Sequence, residues 1–93
     1  MIADFKGVSV TPQDILVAMK NFDIEYSHTN EYDAWLDKCT YKYAIKHGSK
    51  LYPCKHILSR ATGISTLEFS GGEQTNRVFR QLNFIIIDKP RKA

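Results

Sequence analysis

The chain has 93 residues, 43% hydrophobic and 25% charged, with eleven aromatics and a formal net charge of +3. That length supports one small core but not two. No apolar run approaches the ~20 residues of a bilayer-spanning helix, and MIADFKGVSV lacks the apolar stretch of a signal peptide, so a cytoplasmic domain over residues 1–88 with a basic tail at 89–93 is expected.

The first predicted element is a helix opening at Thr11. Thr11-Pro12-Gln13-Asp14 places a hydroxyl at the N-cap, proline at the first helical position and a carboxylate in the first turn. Ile15, Leu16, Met19 and Phe22 then recur at helical spacing and are expected in the core. Residues 23–40 carry a weaker pattern. NEYDAWLDK allows one or two helical turns burying Trp35 and Leu36, with Asp33 and Asp37 on a solvated face.

Tyr41 to Tyr52 reads as a hairpin. Tyr41, Tyr43 and Ile45 alternate with Lys42, Ala44 and Lys46, which predicts one apolar and one basic face. His47-Gly48-Ser49 supplies the turn, and Lys50-Leu51-Tyr52 returns. Pro53 then opens a second helix closed by Gly63. Cys54, Ile57, Leu58 and Ala61 share its inner face, and Lys55, His56, Ser59 and Arg60 its outer one.

Ser70-Gly71-Gly72-Glu73 has the form of a capping box, a hydroxyl at the N-cap with Glu three residues on. Thr75, Val78, Phe79 and Leu82 are expected to point inward, leaving Gln74, Arg77, Arg80 and Gln81 outside. Side chains are absent at Gly71 and Gly72, which would let a phosphate reach the free N–H groups of the helix start, although Glu73 would oppose it. Asn83 falls where a left-handed cap belongs, and Phe84-Ile85-Ile86-Ile87 reads as a buried strand. The expected fold is α+β: a small antiparallel sheet, hairpin plus C-terminal strand, covered by about three helices. A helix-turn-helix is excluded, because the seven residues ISTLEFS exceed its short turn.

The positive charge collects late. Residues 1–40 sum to −4 and residues 41–93 to +7, which favours either a polyanionic partner or attraction between the two halves. Cys39 and Cys54 form no disulfide framework. Cys39, His47, Cys54 and His56 are zinc-ligand types, but their spacing matches no ligand pattern, so no cofactor is expected. No acid–base pair or activated nucleophile stands out, so no enzyme is expected.

The run GSKLYPCKHILSRATG, then FSGGEQTNRVFRQLNF and a hydrophobic strand, resembles the N-terminal (head) domain of ScoMcrA-like, McrA-type HNH modification-dependent restriction endonucleases. The likeness covers residues 41–88 and rests on Gly48, Tyr52, Pro53, Lys55, Ala61, Phe69, Gly71, Gly72, Glu73, Leu82 and Phe84. It departs at Cys54, where a proline or other small residue is usual, and at Asn83, where glycine is usual. The three histidines form no HNH nuclease site. The resemblance implies an accessory domain beside modules that read and cut modified DNA, either as part of a longer protein or as a small relative.

Two functions are therefore expected in competition. One is a non-catalytic DNA-binding accessory domain in restriction or anti-phage defence. It would meet the phosphate backbone through Arg77, Arg80, Gln74, Gln81, Lys55, Arg60, Lys46, Lys50, Gly71 and Gly72, with Asn76 and Lys42 adding to the surface. The other is an interaction or dimerisation module that positions neighbouring domains of a restriction protein or a second copy.

Overall fold

The computed structural model describes residues 2–26, 43–48, 50–69 and 72–88. It opens with a hairpin before the first expected helix. Strand β1 (Ala3–Phe5) pairs antiparallel with β2 (Val8–Val10), Phe5 facing Val8 across a two-residue turn. Ala3, Phe5 and Val10 are buried while Asp4 and Ser9 point outward, the period-two alternation of a half-buried strand. Both turn residues have positive φ, Lys6 at 50° and Gly7 at 84°. That is the signature of a type I′ turn, which favours Asn-Gly or Asp-Gly. A lysine held there costs on the order of 1 kcal/mol of backbone strain.

Helix α1 (Pro12–Tyr26) starts as expected. The Thr11 N–H donates to Asp14 Oδ2 at 3.0 Å and the Asp14 N–H to Thr11 Oγ1 at 3.2 Å, so two otherwise orphaned donors are satisfied reciprocally. Ile15, Ala18, Met19 and Phe22 are buried. Leu16, expected among them, is instead 38% exposed. It lies about 100° round the helix from Ile15, and Ala18 takes the inward place.

The main sheet has the order β4-β3-β5, formed by β3 (Tyr43–His47), β4 (Lys50–Pro53) and β5 (Ile85–Asp88), all antiparallel. The hairpin and the joining of the last strand to it are as expected. Gly48 turns the chain at φ 63°. The expected split into an apolar and a basic face is not found. Ala44 and Ile45, on opposite faces, are both fully buried, and Tyr43 is 37% exposed. The reason is β3's central place: Ala44 sits between Pro53 and Ile87, and Ile45 between Tyr52 and Ile86. Conversely, β5 is not a fully buried strand. It pairs with β3 on one side, and Ile85 is 60% exposed.

Pro53 ends β4 and caps helix α2 (Cys54–Thr62) with extended backbone, one residue earlier in role than expected. Cys54, Ile57 and Leu58 are buried and Ala61 packs on the core. Gly63 closes the helix at φ 79°, its N–H donating to Ser59 O at 2.8 Å. The linker holds a 3-10 turn at Thr66–Glu68, started by Ser65 Oγ accepting from the Leu67 N–H. It ends on Phe69, whose ring meets Phe5 edge-on at 5.1 Å and so fastens the N-terminal hairpin to the segment that follows α2.

Helix α3 (Glu73–Gln81) is capped by Gly72, with no side-chain cap bond. Glu73 is therefore the first helical residue and not the third, and the expected capping box is not formed; Ser70 and Gly71 lie outside the described residues. Thr75, Val78, Phe79 and Leu82 are buried as expected. Asn83 adopts φ 65° and the Phe84 N–H returns to Phe79 O at 2.9 Å, a left-handed helix end. NEYDAWLDK, Cys39, Tyr41, Lys42 and the 89–93 tail also lie outside the described residues.

Replacing Thr11 by Ala removes one half of the reciprocal cap on α1. The expected loss is about 1 kcal/mol, read as a lower urea midpoint with an unchanged denaturant slope.

Candidate nucleic-acid interface

On α3, residues 74, 77 and 81 recur at the i, i+3, i+7 spacing that aligns side chains along one face. Gln74, Arg77 and Gln81 are exposed there and wall an open groove of about 360 Å³. The opposite wall is the first hairpin, through Asp4 and Lys6, and buried Phe5 and Val78 also line the groove. Among the described residues neither Lys6 nor Arg77 forms an ion pair with a carboxylate.

Other basic residues expected at a DNA surface are engaged within the fold. Lys50 forms an ion pair with Asp23 of α1 and lies 5.5 Å from the Tyr52 ring, while Tyr52 Oη donates to the same carboxylate at 2.8 Å. Arg60 pairs with Glu25 and sits 5.4 Å over the Tyr26 ring. Arg80 binds Glu73 at 2.6 Å, two turns back on its own helix. Lys55 covers Phe69 at 5.9 Å. Lys46 is exposed, with Leu51 and Ile85 as its cross-strand neighbours.

The expected list thus divides. Gln74, Arg77 and Gln81 come together; Lys50 and Arg60 are tied to early carboxylates, and Arg80 to a late one. Gly72 is the N-cap rather than an exposed helical position, so the bare first turn imagined for a phosphate is occupied by Glu73 and Gln74. Over the described residues eight Lys and Arg face seven Asp and Glu. Six of those cations and three of the carboxylates belong to the second half, whose remaining basic residues, Lys42, Lys89, Arg91 and Lys92, lie outside the described residues.

Asn76, expected to reach a nucleic acid, is fully buried, and among the described residues neither of its amide atoms has a hydrogen-bond partner. It flanks the inward row of α3, about 100° from Thr75. No pattern in the sequence distinguishes this amide from its exposed neighbours Gln74 and Gln81. Lys6 and Asp4 were also missed. Their signal was the Ala-Asp-Phe…Val-Ser-Val alternation around Lys-Gly, which marks a hairpin.

The weighed zinc set does not assemble among the described residues, where no group of three or more metal-ligating side chains is found. Cys39 lies outside them. Burial pushes the Cys54 thiol up to about 12, outweighing a backbone hydrogen bond and the Arg80 charge that pull it down. A thiol kept protonated in this way is a poor metal ligand and a poor nucleophile. No helix among the described residues is long and apolar enough to cross a membrane.

Two measurements follow from these burials. Ionising Cys54 is harder in the folded state than in the unfolded chain, whose thiol titrates near its usual value. The native state then holds the extra proton, so stability is complete below about pH 8.5 and falls as pH rises toward 12. Urea midpoints between pH 8 and 10.5 should decline more steeply for the native chain than for Cys54→Ala. For Asn76, Asn76→Leu removes an unsatisfied amide while keeping its branching. It should leave stability unchanged or raise it by about 1 kcal/mol, whereas a loss above about 2 kcal/mol would show that the amide is satisfied in solution.

No family model, curated protein or solved structure matches the chain.

Proposed function

We propose that this chain is a non-catalytic DNA-binding accessory domain that touches duplex DNA with one narrow face. The observation that carries the reading is the convergence of Gln74, Arg77 and Gln81 from α3 with Lys6 from the first hairpin on a single groove. Arginine and lysine supply sequence-independent phosphate contact, and glutamine amides can donate to phosphate or read base edges. Lys46 and Lys55 remain as outlying cations. A place in restriction or anti-phage defence accompanies this reading through the resemblance of residues 41–88, and a cytoplasmic setting is proposed with it.

With two cations in the groove, binding is weak and salt-sensitive. The slope of log K against log salt should be about −2, or steeper if further lysines join. In fluorescence anisotropy with a short duplex, Arg77→Ala should lower affinity about tenfold. Arg80→Ala should cost less, because Glu73 already compensates that charge. Equal losses, or no binding at 50 mM salt, would remove the proposal.

A second reading has its own support. Lys50, Arg60 and Arg80 are engaged within the fold, and Ile24, Leu67 and Ile85 are 70%, 94% and 60% exposed. An interaction or dimerisation module would use such apolar groups as anchors. Sedimentation showing a dimer that does not retard DNA would favour it.

A further inference from the structure

We infer that Lys6, at the tip of the first hairpin, is a phosphate-contacting residue and forms the second wall of the DNA groove. The inference rests on the DNA-binding reading above and adds a contact that comes from a different element of the fold. A two-residue loop with both residues at positive φ favours asparagine or aspartate before glycine, since these tolerate left-handed backbone best. Lysine at φ 50° runs against that preference. Positions where a chain breaks a local rule without a packing reason are those expected to serve function.

Packing supplies no such reason here. Lys6 is exposed, and among the described residues it has no ion-pair partner. What the turn does accomplish is placement, because Lys6 lines the same groove as Arg77. Two cations from separate elements, flanked by two neutral amides, suit a phosphodiester, whose unesterified oxygens accept hydrogen bonds from cations and amides alike. Asp4 lines the groove as well and opposes an anion. It limits the groove to a net single positive charge, which keeps the contact weak.

The test uses the full 93-residue chain and a fluorescent duplex of arbitrary sequence. Lys6→Asn suits the turn better than lysine, so its Tm should be no lower than that of the unaltered chain. Its affinity at 0.1 M salt should nevertheless fall on the order of five- to tenfold, and its salt slope should lose about one unit. Lys6→Arg should retain affinity and slope, and Asp4→Asn should bind several-fold tighter. A merely structural Lys6 would not dissociate stability from binding in this way. If the unaltered chain binds DNA while Lys6→Asn keeps the same affinity and slope, the inference is overturned and the DNA reading stands. If the unaltered chain fails to bind at low salt, both fall.

Discussion

The far end of α1 is held by two ion pairs that reach across the chain, Asp23 to Lys50 and Glu25 to Arg60. Between them the Phe22 ring packs against Tyr26 at 5.0 Å and Tyr52 at 5.9 Å. Each cation lies against an aromatic face as well as a carboxylate, so the charges are partly withdrawn from water while remaining compensated. Exposed ion pairs alone contribute little. Here they border a cluster whose apolar burial does most of the stabilising, at roughly 1.5–3 kcal/mol for each fully buried large side chain. Their main effect is on orientation. They bridge α1 to β4 and to α2.

The same clamp decides which charges remain for a partner. Lys50 and Arg60 complete the fold, Arg80 satisfies Glu73, and the described body is nearly neutral. Among the described residues, then, the cations left for an electrostatic role are few and local. The groove between the first hairpin and α3 holds two of them, and neither these nor its amides are consumed elsewhere among the described residues. In the proposed DNA-binding role, a surface of that size suits an accessory contact that adds to the affinity of another module better than a self-sufficient one.

Two departures from local preference lie on or beside α3. Lys6 sits in left-handed backbone, and the Asn76 amide is buried without a partner among the described residues. Elsewhere the chain is locally consistent. Thr11 caps α1 reciprocally, Gly48 and Gly63 take the positive φ that their turns require, and Asn83 ends α3 in the conformation its type tolerates. The contrast locates the part of the molecule least explained by folding alone. Phe69 against Phe5 fastens the first hairpin to the segment that leads toward α3, a contact between positions more than 60 residues apart in sequence.

Sequence alone determined the features that depend on neighbouring residues. Helical spacing placed Ile15, Met19, Phe22 and the inner rows of α2 and α3, and turn chemistry marked Gly48, Gly63 and Asn83, because backbone preference and periodicity act over a few residues. The α+β class followed from the order of those signals. Tertiary structure decided burial and charge pairing. Ala44 became buried because β3 has strands on both sides, Ile85 remained exposed because β5 has one paired neighbour, and Asn76 was enclosed on the flank of its helix. Which cations stayed available depended on partners 27 and 35 positions away. Coulombic and packing energies depend on distance in space, and a linear pattern records only distance along the chain.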